Sequence, residues 1–123
     1  MTTRILPHEE WDRLAATEFH AFRPYASEQD TRVVVVEDGP TIVGCWVVVR
    51  ITHVEGLWIH PAYRGRIGVA RRLLATTVAT ARQWADRWVM TGAQTPEIAR
   101  MLRRFGAVQI PIETFVLPIG EGA

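Results

Sequence analysis

Glycine and arginine alternate in one short segment, residues 64–70, whose composition suits the binding of an anion. Glycines let the backbone approach a ligand closely. The helix predicted to follow would present amide N–H groups and a partial positive charge. Arginine side chains could add charge-assisted contacts to a phosphate. The segment predicts a phosphate or pyrophosphate site, and the alternative is a surface turn whose glycines only cap a helix. Its residues are Arg64, Gly65, Arg66, Ile67, Gly68, Val69 and Ala70.

Composition narrows the class of protein around this segment. A chain of 123 residues, 48% hydrophobic and 22% charged, suits one soluble domain. Its formal net charge of +1 gives no argument for nucleic acid or an anionic membrane as a partner. No run approaches the roughly 20 apolar residues of a membrane-spanning helix. The first residues lack a signal-peptide core, so we expect a cytoplasmic protein.

Cysteine and histidine usage argues against disulfide and metal chemistry. The one cysteine, Cys45, lies in an apolar stretch. We expect it to be a small buried hydrophobic residue and not a nucleophile. The four histidines lack the spacing of metal ligands, so no metal is predicted.

Hydrophobic periodicity and turn residues predict the elements that must position the anion segment. Two apolar strands around the turn Asp38-Gly39-Pro40 should form a hairpin. With the strand that follows them, they should make a meander of three antiparallel strands. Thr95 should cap the last helix and Gly106 should end it. The pattern predicts an α/β (α+β) fold. Its elements are a helix over 7–22, strands over 31–37, 41–51 and 54–60, a helix over 67–85, a strand over 87–91, a helix over 95–105 and a strand over 108–117.

The order of strand, proline, Arg/Gly loop and long helix resembles the signature of the GNAT superfamily of N-acetyltransferases. The similarity extends to the hairpin that ends in Ile42-Val43-Gly44, and to a short final helix that ends in Gly106-Ala107. The residues that carry it are Leu57-Trp58-Ile59-His60-Pro61-Ala62-Tyr63-Arg64-Gly65-Arg66-Ile67-Gly68-Val69-Ala70-Arg71-Arg72-Leu73-Leu74.

The resemblance implies one GNAT-like domain over residues 1–123, with a mixed, largely antiparallel central sheet flanked by helices. A splayed strand pair would form the acyl-CoA cleft. The pantetheine arm would pair with the backbone of Trp58, Ile59 and His60, and the pyrophosphate would lie on the amides of residues 64–70. The activity implied is direct transfer of an acetyl group from acetyl-CoA to an amine of an acceptor.

The sequence departs from the family pattern in two places. The segment from Arg64 to Gly68 is one residue longer than the pattern R-x-x-G. The family often places a tyrosine in its last helix as the acid for the departing thiolate, but here the position falls on Leu102 or Met101. No tyrosine follows Tyr63, so water or another group would have to protonate the thiolate.

Glu55 is the residue that the resemblance favours as general base, directly or through water. It lies on the strand before the loop, and the alternative is a carboxylate that only faces solvent. His53 and His60 flank it and could titrate near neutral pH. Tyr63 would pack beside the loop, and Glu113 could line the acceptor site.

Other functions stay open from the sequence alone. A GNAT-like domain without catalysis could bind CoA or a protein partner. Arg100, Arg103 and Arg104 form a basic cluster, but a solvated helix face explains it as well, so nucleic acid is not the expected partner. The acceptor could be a small amine, an amino acid, an antibiotic, a peptide N-terminus or a protein lysine. The chain could be a monomer or a homodimer.

Overall fold

The computed structural model describes residues 1–84, 87–110 and 117–120. It has a mixed α+β architecture, with an antiparallel sheet and helices. The chain divides into two compact units, Met1–Thr91 and Gly92–Ala123, so one domain over the whole chain stays a prediction. The strands are β1 (Thr2–Leu6), β2 (Thr31–Asp38), β3 (Thr41–Val49), β4 (Thr52–Val54) and β5 (Val89–Thr91). The α-helices are α1 (Phe19–Phe22), α2 (Ile67–Ala81) and α3 (Pro96–Arg104).

The hairpin of β2 and β3 is the centre of a three-stranded antiparallel sheet ordered β1-β2-β3. Val33 and Val35 of β2 are fully buried on one face of this sheet. This face is covered by aromatic and aliphatic side chains from the segment between β1 and β2, so the core lies there. The buried cluster comprises Leu6, Trp11, Leu14, Phe19, Val33 and Val35.

The N-terminal segment differs from its prediction, because residues 7–22 do not form one helix. The chain makes a 3-10 helix over His8–Leu14, then α1, then a second 3-10 turn. The hydroxyl of Thr17 donates to the carbonyl oxygen of Leu14 at 2.7 Å, and such local bonds compete with continued helix. The sequence reasoning also missed β1, a five-residue strand in which only Leu6 is buried.

The predicted third strand over 54–60 and the three-strand meander are wrong. The strand is β4, three residues long, and it pairs in parallel with β5 and not with β3. Two residues after β4, Gly56 has φ 76°, a left-handed conformation that ends extended structure. α2 connects β4 to β5 as a parallel crossover, and it begins where the sequence predicted a helix and ends at Ala81.

The predicted burial of Cys45 is wrong. Cys45 is exposed on β3, because the buried face of the sheet is filled mainly by β2 and the N-terminal segment. Trp11 is buried in the core, whereas Trp84 is 75% exposed and Trp88 49% exposed. Across the described ranges, no helix is both long and apolar enough to cross a membrane.

The second unit contains α3, which begins as predicted. Thr95 is its N-cap, and its hydroxyl oxygen accepts from the N–H of Ile98 at 3.2 Å. The helix ends at Arg104, just before Gly106. Most of the predicted final strand over 108–117, and Glu113 with it, lies outside the described residues.

Candidate functional site

The parallel pairing of β4 with β5 is short and stops early. Its last register pair is Val54 with Thr91. Glu55 is therefore the first residue beyond the ladder, and Gly56 turns the chain immediately afterwards. Residues 55–60 then run to Pro61 without helix or strand. Their backbone groups are outside any ladder over this stretch, so the segment can pair with an extended ligand.

Two local hydrogen bonds shape the loop that follows residues 55–60. His60 precedes a 3-10 turn over Pro61–Tyr63, and its Nδ1 accepts from the N–H of Ala62 at 3.0 Å. The Nε of Arg64 donates back to the carbonyl oxygen of Ile59 at 2.9 Å. These two contacts join the loop to the end of the preceding segment, so the start of α2 is held close to residues 59–60.

Aromatic rings and one guanidinium form a row along the loop. The rings of Trp58 and His60 meet edge to face at 6.0 Å, and those of His60 and Tyr63 at 5.7 Å. The guanidinium of Arg66 lies 4.7 Å from the centre of the Tyr63 ring, a cation–π contact. The row fixes the position of Arg66 at the residue that precedes α2.

Gly65 lies just before α2, and Gly68 lies in its first turn. Gly65 and Gly68 are not among the described glycines with positive φ. A methyl group added to either one would meet no described protein atom within 4 Å. The first amides of a helix lack partners one full turn before them, but here the N–H groups of Arg66 and Val69 donate to the carbonyl oxygens of Tyr63 and Arg66, at 3.0 and 3.2 Å. We call residues 64–70, where the sequence predicts a phosphate or pyrophosphate site, the phosphate cradle.

The segment predicted to bind an anion is accessible except at its end. Residues 64–68 are exposed, whereas Val69 is half-buried and Ala70 is buried. Ala70 could therefore contact a ligand only through its backbone. Arg64 is already bonded to Ile59 through Nε, which makes Arg66 the more available of the two guanidiniums.

His53 and Glu55 are in contact beside the end of β4. Nδ1 of His53 lies 2.8 Å from Oε1 of Glu55. Both side chains are about half exposed, at 48% and 57%. The sequence reasoning considered each residue as a base but did not predict this contact.

A wider cavity, of about 560 Å³, opens at the start of β4. Arg50 and Asp30 lie on its wall, and Nη2 of Arg50 is 2.7 Å from Oδ1 of Asp30. This arginine lowers the pKa of the Asp30 carboxyl. Aromatic side chains complete the wall, namely Tyr25, Trp84 and Trp88.

The sequence model of the acetyltransferase (GNAT) family matches residues 2–107. The chain belongs to this family. The match covers β1 through α3, so the GNAT region includes β4, the loop and α2. In the described part of the chain, no group of three His, Cys, Asp or Glu side chains could hold a metal ion.

Two solved structures resemble this GNAT protein at low sequence identity. One is a ribosomal-protein-alanine N-acetyltransferase from Brucella melitensis biovar Abortus 2308. It has 14% identity and a TM-score of 0.41, and the match covers 97% of this chain and 100% of that one. The other is an integron cassette protein from the mobile metagenome of V. cholerae, with 14% identity, a TM-score of 0.45 and coverage of 98% and 93%. No curated protein matches the sequence.

Proposed function

We propose that this GNAT protein is an N-acetyltransferase that moves an acetyl group from acetyl-CoA directly to an amine of an acceptor. One observation carries the proposal. The exposed loop over residues 64–66 leads directly into the N-terminus of α2, within the region that the GNAT family model matches. A helix N-terminus that follows an exposed glycine-containing loop suits a ligand with phosphate groups.

The coenzyme would bind along the segment between Glu55 and α2. The amides of residues 64–70 would hold the pyrophosphate, with Arg66 adding positive charge beside Tyr63. The backbone of Trp58, Ile59 and His60 would pair with the amides of pantetheine. The carbonyl oxygen of Ile59 already accepts from Arg64, and its second lone pair would serve the ligand.

Acetyl-CoA would supply the thioester, and the protein would supply proton transfer and orientation. An acceptor amine is an ammonium near neutral pH and must lose a proton before it can attack. Glu55 is the basic group that we assign to this step, alone or through a neighbour. No tyrosine follows Tyr63 in the sequence, so we assign protonation of the thiolate to water.

Calorimetric titration of the whole chain with acetyl-CoA and with CoA tests the first half of this proposal. Release of free thiol in the presence of a panel of amines, amino acids and peptides tests the second half. We expect saturable binding of both coenzymes and thiol release with at least one acceptor class. Absence of coenzyme binding at high protein concentration would overturn the proposal.

Binding without turnover would point to the alternative function. The lack of a tyrosine beyond Tyr63 is the specific feature that favours a GNAT domain that binds CoA or a partner without catalysis. Turnover that falls in the Glu55→Gln variant, with coenzyme affinity unchanged, would exclude that alternative.

A further inference from the structure

The wide cavity at the start of β4 has no described lining residue in common with the segment over 55–70 that is proposed to hold the coenzyme. It is lined by residues that precede β2, residues around the start of β4 and residues between α2 and β5. Its volume of about 560 Å³ lies within the range of roughly 300–1,000 Å³ that is typical of small-molecule sites. The cavity is therefore large enough for a ligand of its own.

Three aromatic rings form the apolar part of the cavity wall, those of Tyr25, Trp84 and Trp88. The rings of Tyr25 and Trp88 meet edge to face, with their centroids 4.9 Å apart. Trp84 and Trp88 are 75% and 49% exposed, although both line a concave site. Because aromatic rings favour stacked or edge-to-face contacts with one another, this wall suits a planar aromatic ligand.

Arg50 supplies the polar part of the wall. Its Nε and Nη2 atoms donate to Oδ1 of Asp30 at 3.0 and 2.7 Å, and the Ser27 hydroxyl donates to Oδ2 at 3.2 Å. These bonds hold the guanidinium in place but use only two of its five N–H groups. No described group accepts from Nη1, so the Nη1–Nη2 edge can hold a second carboxylate through two parallel bonds.

We propose that this cavity binds a planar aromatic carboxylate, with its ring against Trp84 and Trp88 and its carboxylate on the Nη1–Nη2 edge of Arg50. Arg87 also lines the cavity and adds a second positive charge. Among the described lining residues, one acidic side chain, Asp30, stands against these two arginines, so the described wall has an excess of positive charge. The site is independent of the proposed acetyl transfer, since it needs neither the coenzyme nor a base.

The sign of the ligand's charge follows from the arginines. Aromatic walls also bind cations, and the C-terminal end of a helix favours positive charge. The last carbonyl oxygens of α2 are occupied, however, because those of Val78, Thr80 and Ala81 accept from the N–H groups of residues 82–84 at 2.9–3.2 Å. Two guanidiniums against one carboxylate therefore favour an anion over a cation.

Calorimetric titration of the whole chain with three ligands of nearly equal shape tests the charge that the cavity selects. Cinnamate carries a carboxylate, cinnamyl alcohol is neutral, and cinnamylamine is a cation at neutral pH. We expect cinnamate to bind saturably and at least about tenfold more tightly than the alcohol, with the amine weakest. Absence of saturable cinnamate binding, or cinnamylamine binding as tightly as cinnamate, would overturn the proposal.

Two variants test the residues that would hold the ligand. Arg50→Lys keeps a positive charge beside Asp30 but removes the paired donors, so it should lose about tenfold or more of the cinnamate affinity with little change for the alcohol. Trp84→Ala should weaken the binding of both ligands. Trp46→Ala, 74% exposed on β3 and outside the cavity lining, should bind both like the unmodified protein. Thermal unfolding checks that all three variants fold, and unchanged cinnamate affinity in Arg50→Lys or Trp84→Ala would contradict the site.

Coenzyme binding separates this inference from the proposed function. Cinnamate should bind equally well to the free protein and to protein incubated with saturating CoA, because the two sets of residues do not overlap. Displacement of cinnamate by CoA would overturn the separate site. Cinnamate binding without any binding of acetyl-CoA would support this inference and overturn the proposed function. Binding of acetyl-CoA without any binding of cinnamate would overturn this inference alone.

Discussion

Arg4 and Glu37 join the first two strands through a side-chain bond, with Nε of Arg4 2.6 Å from Oε1 of Glu37. The other oxygen of Glu37 accepts from Arg13 at 3.0 Å, and Glu10 completes the network by binding both arginines. Only 9% of the Glu37 side chain is exposed. Two positive and two negative side chains are thus matched where β1, β2 and the first 3-10 helix meet.

This network should make stability depend on pH in the acid range. Arg4, and with it Arg13, holds the pKa of the Glu37 carboxyl at about 2, below its ordinary value of 4.5. Above about pH 4.5 the carboxylate is charged in both states and the full stabilisation is present. As pH falls from there toward 2, the unfolded chain binds a proton that the folded chain does not, so stability is lost.

Urea unfolding across this range measures the effect. The midpoint for Glu37→Gln should be lower than that of the unmodified protein at neutral pH, and should fall less steeply as the solution is acidified. Glu18→Gln, at an exposed position, should keep the original slope. Equal slopes for Glu37→Gln and the unmodified protein would contradict the assignment.

Gly68→Ala should weaken coenzyme binding without harming the fold. An added methyl group meets no described protein atom, and alanine favours helix over glycine by up to about 1 kcal/mol. Thermal unfolding should show equal or higher stability, whereas titration should show at least about a tenfold loss of CoA affinity. Gly44→Ala, also in open space but on β3, is the matched control for affinity. Undiminished CoA affinity in Gly68→Ala would remove the main support for the phosphate cradle.

Arg66→Gln should weaken the binding of CoA more than the binding of pantetheine. The guanidinium stacks on Tyr63 beside the start of α2, where a phosphate contact would be charge-assisted. The variant should bind CoA about tenfold or more weakly, with little change for pantetheine, which has no phosphate. Arg71→Gln, one turn further along α2 and exposed, serves as control. An equal loss for CoA and pantetheine would mean that Arg66 acts by holding the loop and not by binding phosphate.

Thr95→Ala should destabilise α3 by about 1 kcal/mol, because it removes the oxygen that accepts from Ile98. Thr95→Ser should retain most of the stability, since serine is an equally good N-cap. Amide hydrogen exchange of Ile98 measures the cap directly. Protection at Ile98 that is equal in Thr95→Ala and the unmodified protein would contradict the role of this bond.

Features set by short-range chemistry could be predicted from the sequence. The N-cap of α3 and the hairpin between β2 and β3 depend on residues a few positions apart, and both are present as predicted. The GNAT family was also predictable, because residues 57–74 carry its signature in one continuous run.

Features set by long-range packing could not be predicted. An apolar run such as residues 54–60 is typical of a strand, and nothing local reveals that Gly56 adopts a positive φ. Helical periodicity predicts a helix over 67–85, but it does not specify what packs against that helix, and Trp84 is 75% exposed. The pairing of His53 with Glu55 depends on rotamers that the sequence does not encode locally. The roles of individual site residues stay predictions.

Trp58, in the row of rings along the loop, can report ligand binding through its own fluorescence. Trp58 is 66% exposed and stands at the start of the stretch proposed to hold pantetheine, while Trp11 is shielded in the core. A ligand laid along residues 58–60 changes the solvent around the Trp58 indole, so its emission shifts without any attached dye. Comparison with a Trp58→Phe variant separates that signal from the other four tryptophans. Occupancy of the site can then be followed in real time, whether or not the acceptor is known.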